Sequence, residues 1–168
     1  MSLHTHQPAR YSSLLAAAVV LLVSALAASA ADEVNVSKGG TLAGGPLALR
    51  GFDAVAYFTV GAPRLGSADL STLHEGAVYR FSSSENQKAF EADPERYLPA
   101  YGGFCAYGIS AGAKFDGDPE VFSIVDGRLF LNLSPKVQKK WQKDVGGHVT
   151  KADTNWKRIE SVAIAKLK

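Results

Sequence analysis

Three residues of the sequence carry side chains suited to binding a metal ion or to reacting with a substrate: Cys105, His74 and Asp53. Cys105 is the only cysteine and lies in the stretch YGGFCAYG, residues 101 to 108. Thiolate and imidazole side chains select copper or zinc, and several must converge at about 2.0 to 2.3 Å from the ion. The sequence therefore predicts Cys105 as a metal ligand, with copper expected ahead of zinc.

A thiolate site needs a second donor, and the sequence offers few. After residue 30 the chain has two histidines, His74 and His148, and no methionine. His74 directly precedes a predicted aromatic strand and is the candidate second ligand, with His148, Asp53 or water completing the site. The alternatives are a solvated loop histidine at position 74 and a helix cap or surface residue at position 148.

Cys105 has two other candidate roles. A nucleophilic cysteine needs an imidazole or a helix N-terminus to favour its thiolate, and the sequence has no Cys-x-x-Cys pair and no recognisable base motif. A non-enzymatic protein is therefore favoured. A free cysteine is also among the most buried residue types, and its aromatic and glycine neighbours could form core or line a small-molecule pocket. The pocket candidates are Asp53, Tyr57, Tyr101, Gly102, Gly103, Phe104 and Tyr107.

The first thirty residues have the pattern of a secretory signal peptide. A positive start at Arg10 precedes an apolar run from Leu14 to Leu26 and the small residues Ala28-Ser29-Ala30. The run is shorter than the ~20 residues that span a bilayer. We expect export to the periplasm or the medium, with no membrane span after cleavage; an uncleaved anchor is the alternative. Residues 31–46 are expected to be a flexible lead-in, and residues 47–168 a single domain.

The charge balance and the cysteine content limit the kinds of partner that are expected for this protein. The chain has 18 basic and 16 acidic residues, so it lacks the basic excess of a nucleic-acid-binding protein. A single cysteine cannot form an internal disulfide, so stability must come from a hydrophobic core. The expected partner is a metal ion or a small ligand, and a periplasmic protein is the alternative.

Local patterns predict an α+β domain, a small antiparallel sheet with a β-hairpin packed by three or four short helices. Two apolar segments between Val121 and Leu133 flank Asp126-Gly127, a type I′ turn pair. Residues 76–82 alternate like a half-buried strand. Residues 49–60 favour a strand or a strand plus turn, and residues 61–71 a loop.

Helix boundaries are also readable. Ser83 or Ser84 is expected to cap a helix that ends at Asp93-Pro94. Ser134-Pro135 is expected to begin a second helix, which Gly146-Gly147 ends. A last helix is expected from about Lys151 to Lys166.

Five stretches, in order, resemble the exported bacterial YHS-domain proteins. They are GFDAVAYF (51–58), YRFSS (79–83), DPERY (93–97), YGGFCA (101–106) and DGRLFLN (126–132). The resemblance covers about residues 47 to 160 and implies a single YHS-like domain.

The resemblance also implies a metal connection, since YHS domains are similar to TRASH-type metal-sensing modules. In those modules cysteines near a strand-to-helix junction bind the metal. Here Ser82, Ser83 and Ser84 occupy the position of one such cysteine, and Asn86 or Gln87 lies near the second.

Overall fold

The computed structural model describes residues 33 to 167, so the predicted signal peptide at 1–30 lies outside the described residues. Within that range the chain forms five α-helices and two antiparallel two-stranded sheets. This confirms the α+β class predicted from the sequence. None of the helices between residues 33 and 167 has both the length and the apolar character needed to cross a membrane.

The first sheet is a hairpin of β1 (Ser67–His74) and β2 (Ala77–Phe81). Its turn residues Glu75 and Gly76 both have positive φ, 47° and 79°, as a type I′ turn requires. The predicted strand at 76–82 is confirmed. Most of β1 falls within the loop predicted for residues 61–71. Its first three residues show no apolar alternation in sequence, and they are exposed in the structure.

The second sheet pairs β3 (Asp118–Val125) with β4 (Arg128–Asn132). Asp126 and Gly127 form the turn with φ of 49° and 74°, so the predicted hairpin is confirmed. Side chains of β4 point alternately to opposite faces. Leu129 and Leu131 belong to one hydrophobic core and Phe130 to another, so β4 lies between the two cores.

The strand predicted between residues 49 and 60 is wrong. A 3-10 turn (Leu49–Gly51) and helix α1 (Ala56–Thr59) occupy this segment. The Oδ1 atom of Asp53 accepts hydrogen bonds from the backbone amides of Val55, at 2.9 Å, and Ala56, at 3.3 Å. A side chain that binds nearby amides in this way stabilises a turn, so it outweighs the β propensity of the apolar residues.

Two helices begin where the sequence predicts. Helix α2 (Ser84–Ala92) is capped by Ser83, whose hydroxyl accepts a hydrogen bond from the Asn86 amide at 3.1 Å. A short helix between the two, α3 (Ala106–Ser110), follows the YGGFC stretch. The second helix with a predicted start is α4 (Pro135–Trp141), which is capped by Ser134. Each cap satisfies an amide that has no partner within the helix.

The last helix is α5 (Val145–Ile159), which differs from the prediction at both ends. Gly146 and Gly147, predicted to end the preceding helix, form its first turn instead. The carboxylate of Asp144 accepts a hydrogen bond from the Gly147 amide at 2.9 Å and caps the helix. The helix ends at Ile159 rather than near Lys166, and only a 3-10 turn (Ile164–Lys166) follows.

The described part of the predicted lead-in packs against the domain. The Asn35 amide donates to the Gly102 carbonyl at 2.8 Å, and its Nδ2 donates to the Gly103 carbonyl at 3.2 Å. The Ser37 amide donates to the Leu47 carbonyl at 2.8 Å. Residues on both sides of the predicted boundary at residue 46 therefore pack together. The flexibility of the lead-in stays a prediction.

Candidate functional site

The YGGFCAYG stretch separates two concave surfaces. Tyr101, Gly102 and Gly103 have φ of 57°, 59° and 82°, a left-handed conformation that glycine adopts without a steric penalty. Tyr101 and Gly102 line a polar pocket of about 470 Å³. Gly103 and Phe104 line an apolar groove of about 830 Å³, which residues 35–41 bound on another side. Four of the seven predicted pocket residues therefore lie at one of these surfaces.

Cys105 is buried and lines neither of the two surfaces. Its side chain is 1% exposed, and its thiol donates to Asn132 Oδ1 at 3.7 Å. The same oxygen accepts the Tyr107 amide at 3.3 Å. Cys105 also pairs with Leu131 at the edge of β4. These contacts are those of a small core residue beside a strand.

His74 occupies the last position of β1, and its ring is held by the first core. The ring packs edge-on against Phe90, with centroids 5.6 Å apart, and against Tyr79, with centroids 6.3 Å apart. Its Nε2 atom is inaccessible to solvent and has no hydrogen-bond partner among the described residues. The nearest carboxylate oxygen, Glu75 Oε2, lies 3.9 Å from Nε2. His74 thus presents an unsatisfied ring nitrogen beside an acidic side chain.

Glu95 completes a group of three metal-binding side chains with His74 and Glu75. One ligand atom from each residue lies within 4.8 Å of the other two. In residues 33 to 167 this is the only group of three or more histidine, cysteine, aspartate or glutamate side chains that meets this spacing. We call it the His-Glu-Glu cluster. It includes the predicted ligand His74 but not Cys105.

The cluster joins two elements that are distant in sequence. Glu75 lies in the β1–β2 turn, and Glu95 lies in the 3-10 turn Pro94–Arg96 that follows α2. Both glutamates also line the polar pocket. Burial first, and then the charges of Glu75 and Glu95, raise the pKa of the Tyr79 hydroxyl above its ordinary value. The electrostatic potential at this pocket wall therefore favours a cation.

Asp53 is fully buried and binds the residues at the predicted cysteine positions. Its Oδ2 accepts hydrogen bonds from the Ser82 amide at 2.8 Å, the Ser82 hydroxyl at 2.6 Å and Asn86 Nδ2 at 2.7 Å. Serine and asparagine donors that converge on a carboxylate do not fit a thiolate metal centre. The metal site that the family resemblance implies at this junction therefore does not match the residues present.

Two other predicted pocket residues, Tyr57 and Tyr107, lie away from both surfaces. The Tyr57 hydroxyl donates to the Pro119 carbonyl at 2.9 Å, and burial raises its pKa. The Tyr107 ring packs edge-on against His148, with centroids 5.0 Å apart. Both aromatic side chains make contacts typical of a structural role.

A further polar contact at the pocket joins the predicted pocket residue Tyr101 to two residues that were not site candidates. The Tyr101 hydroxyl donates to Asp153 Oδ1 at 2.9 Å, and Arg128 Nη2 donates to the same oxygen at 2.8 Å. Chiefly through its hydrogen bond with Arg128, the Asp153 carboxyl has a pKa below its ordinary value. Arg128 and Asp153 lie in β4 and α5, so no local sequence pattern indicates this pair.

Comparisons of the chain with protein-family models, with curated proteins and with solved structures find no match. The resemblance to YHS-domain proteins accordingly stays a prediction from the five sequence stretches. A function for the chain has to be inferred from the side chains that its fold brings together.

Proposed function

We propose that this protein is an exported, non-enzymatic, YHS-like binding protein that holds a divalent transition-metal ion at the His-Glu-Glu cluster. The observation that carries the proposal is the Nε2 atom of His74. This atom is buried, has no hydrogen-bond partner among the described residues and lies 3.9 Å from Glu75 Oε2. One ligand atom of each of His74, Glu75 and Glu95 lies within 4.8 Å of the other two.

A bound cation would remove an energetic cost at this position. A buried polar atom without a partner costs about 1 to 3 kcal/mol, and two nearby carboxylates add mutual repulsion. A metal ion accepts the imidazole lone pair and neutralises both carboxylates at once. Glu75 and Glu95 are exposed, so their side chains can close to the ~3.4 Å spacing of tetrahedral ligands about 2.1 Å from an ion.

The donor set changes the expected metal. Copper ahead of zinc was the expectation for a thiolate ligand, since sulfur selects copper(I). The cluster supplies one imidazole nitrogen and two carboxylate oxygens, which suit zinc(II). Copper(II) would compete, because it binds most nitrogen and oxygen sites more tightly than zinc. We therefore propose zinc(II) as the first ion to test, with a fourth position left for water or a group of a partner protein.

Calorimetric titration of the mature protein with zinc chloride tests this proposal. We expect one equivalent to bind and to raise the thermal midpoint of unfolding. His74→Phe keeps an aromatic ring against Phe90 while removing both ring nitrogens, and Glu95→Gln removes a carboxylate at the surface. Each variant should weaken zinc binding at least tenfold.

His148→Phe is the matched control, since this histidine also packs against an aromatic ring but lies outside the cluster. It should bind zinc like the parent protein. Cys105→Ser should also leave zinc binding unchanged. Full affinity in both His74→Phe and Glu95→Gln would refute the proposed ligand set. Loss of zinc binding in Cys105→Ser alone would assign the metal to the thiol instead.

A further inference from the structure

The apolar groove is separate in its residues from the His-Glu-Glu cluster. Its volume of about 830 Å³ falls within the ~300 to 1,000 Å³ typical of small-molecule sites. Val36, Pro46 and Ile164 contribute accessible apolar surface. Leu49, Phe104 and Leu131, each at most 4% exposed, form the buried base of the groove.

The charged side chains that line the groove have a net positive charge. Lys38 and Arg50 contribute two positive charges, and Asp116 contributes one negative charge. Within residues 33 to 167, no ion pair or side-chain hydrogen bond engages the Lys38 ammonium or the Arg50 guanidinium. Both cationic groups are thus available to an anionic ligand whose apolar part occupies the groove.

We propose that the apolar groove binds a small amphipathic monoanion, an apolar chain or ring that carries one carboxylate. The apolar part lies against Val36, Pro46 and Ile164, where it leaves water. The carboxylate lies near Lys38 and Arg50. An amphipathic cation would meet two like charges and only one opposite charge, so the groove discriminates by sign.

Three probes with the same alkyl chain and different head groups test whether the groove prefers an anionic ligand. Decanoate, decanol and decylamine are titrated into the protein by calorimetry at low ionic strength, below their aggregation concentrations. We expect saturable one-to-one binding of decanoate and at least tenfold weaker binding of decylamine. The double variant Lys38→Gln/Arg50→Gln should weaken decanoate about tenfold and leave decanol unchanged. Decylamine binding as tightly as decanoate, or no decanoate binding, would overturn the proposal.

A pair of glycine substitutions tests the location. Gly40 lines the groove and does not need a positive φ, and a Cβ at this position would meet no atom within 4 Å. Because Gly40 lines the groove, we expect the indole of Gly40→Trp to occupy part of it without backbone strain and to weaken decanoate binding at least tenfold. Gly146 is equally open but lies in α5, outside the groove, so Gly146→Trp should bind decanoate normally.

Decanoate binding that survives Gly40→Trp would place the site elsewhere and refute the proposal. Zinc titration of the same variant keeps the two proposals distinguishable. Because Gly40 is not part of the His-Glu-Glu cluster, zinc affinity should not change, and loss of decanoate binding alone would then support the groove.

Discussion

The Asp53 carboxylate accepts two hydrogen bonds from Ser82, at 2.6 Å from its hydroxyl and 2.8 Å from its backbone amide. The two residues are 29 positions apart, so the contact ties the segment before α1 to the junction between β2 and α2. Asn86 adds a third donor to the same oxygen. A buried carboxylate thus organises the junction between β2 and α2, where the predicted resemblance to TRASH-type modules would place metal-binding cysteines.

Replacing Asp53 should therefore destabilise the whole domain. Asp53→Ala removes the acceptor of the buried Val55 amide and of the partly buried donors of Ser82 and Asn86, and we expect it to lower the free energy of unfolding by about 3 kcal/mol. Urea denaturation followed by circular dichroism measures the change. Asp116→Ala, at an exposed carboxylate, is the control and should cost less than about 0.5 kcal/mol. Equal midpoints for the two variants would contradict the structural role of Asp53.

Gly102→Ala should destabilise the packing of the lead-in. A Cβ at Gly102 would collide with the Glu33 carbonyl, whereas a Cβ at Gly112 would meet no atom within 4 Å. Both glycines have positive φ, 59° and 81°, so Ala at either position costs about 1 to 2 kcal/mol for the left-handed backbone. Because of the collision, we expect Gly102→Ala to lower the free energy of unfolding, measured by urea denaturation, by about 2 kcal/mol more than Gly112→Ala does.

Limited trypsin digestion provides a second measurement on this pair. Asn35 binds the carbonyls of Gly102 and Gly103, so displacing the lead-in should expose the peptide bond after Lys38. We expect faster cleavage there in Gly102→Ala than in Gly112→Ala. The same cleavage rate in both variants would show that the glycine does not hold the lead-in in place.

The Cys105 thiol should be unreactive in the folded protein. Its side chain is 1% exposed and contacts Asn132, so a water-soluble disulfide reagent should label it only through unfolding or local opening. We expect labelling in native buffer to be at least a hundredfold slower than in concentrated urea. An introduced surface cysteine, Ser84→Cys in a Cys105→Ala background, is the control for reagent access. Native labelling of Cys105 at the control rate would mean that the thiol is accessible and free to act as a ligand or nucleophile.

The Arg128–Asp153 pair should make stability dependent on pH in acid. The hydrogen bond from Arg128, first, and that from Tyr101 lower the pKa of Asp153 below its ordinary 3.8. The folded protein therefore binds this proton less readily than the unfolded chain does. The resulting stabilisation is present above the ordinary pKa and is lost as pH falls through the lower folded value.

Asp153→Asn measures this contribution directly. Because the pair is partly exposed, at 43% and 42%, we expect the variant to lose only about 1 kcal/mol at pH 7. The difference from the parent protein should shrink as pH falls below about 3.8 and Asp153 becomes protonated. Urea denaturation at several pH values tests this, with Asp69→Asn at an exposed carboxylate as control. A deficit that does not change with pH would point to lost packing instead of lost charge.

The features that the sequence predicted correctly depend on neighbouring residues. The cap at Ser83 and the turn at Asp126-Gly127 each involve groups only a few positions apart. Their geometry follows from local hydrogen bonds and from the backbone preferences of the residues themselves. These interactions need no partner from a distant part of the chain, so the sequence indicates them without knowledge of the rest.

The errors occur where a distant or competing contact decides. The apolar segment 49–60 has strand-forming residues, but Asp53 binds the amides of Val55 and Ala56 and starts a helical turn. Gly146 and Gly147 were predicted to end a helix, yet capping by Asp144 makes them begin one. In each case the hydrogen bonding of one carboxylate outweighs a propensity worth a few tenths of a kcal/mol to about 1 kcal/mol.

By itself, the sequence determined the α+β class, the two helix caps and the second hairpin, and it singled out His74 and the YGGFCAYG stretch as candidates. Only the tertiary structure brought Glu95 to the adjacent His74 and Glu75 and left Cys105 beside Asn132. The reason is physical: a helix cap joins groups within one turn of chain, whereas a ligand set joins side chains from separate elements. Their meeting depends on how β1, β2 and α2 pack around the Phe90 ring.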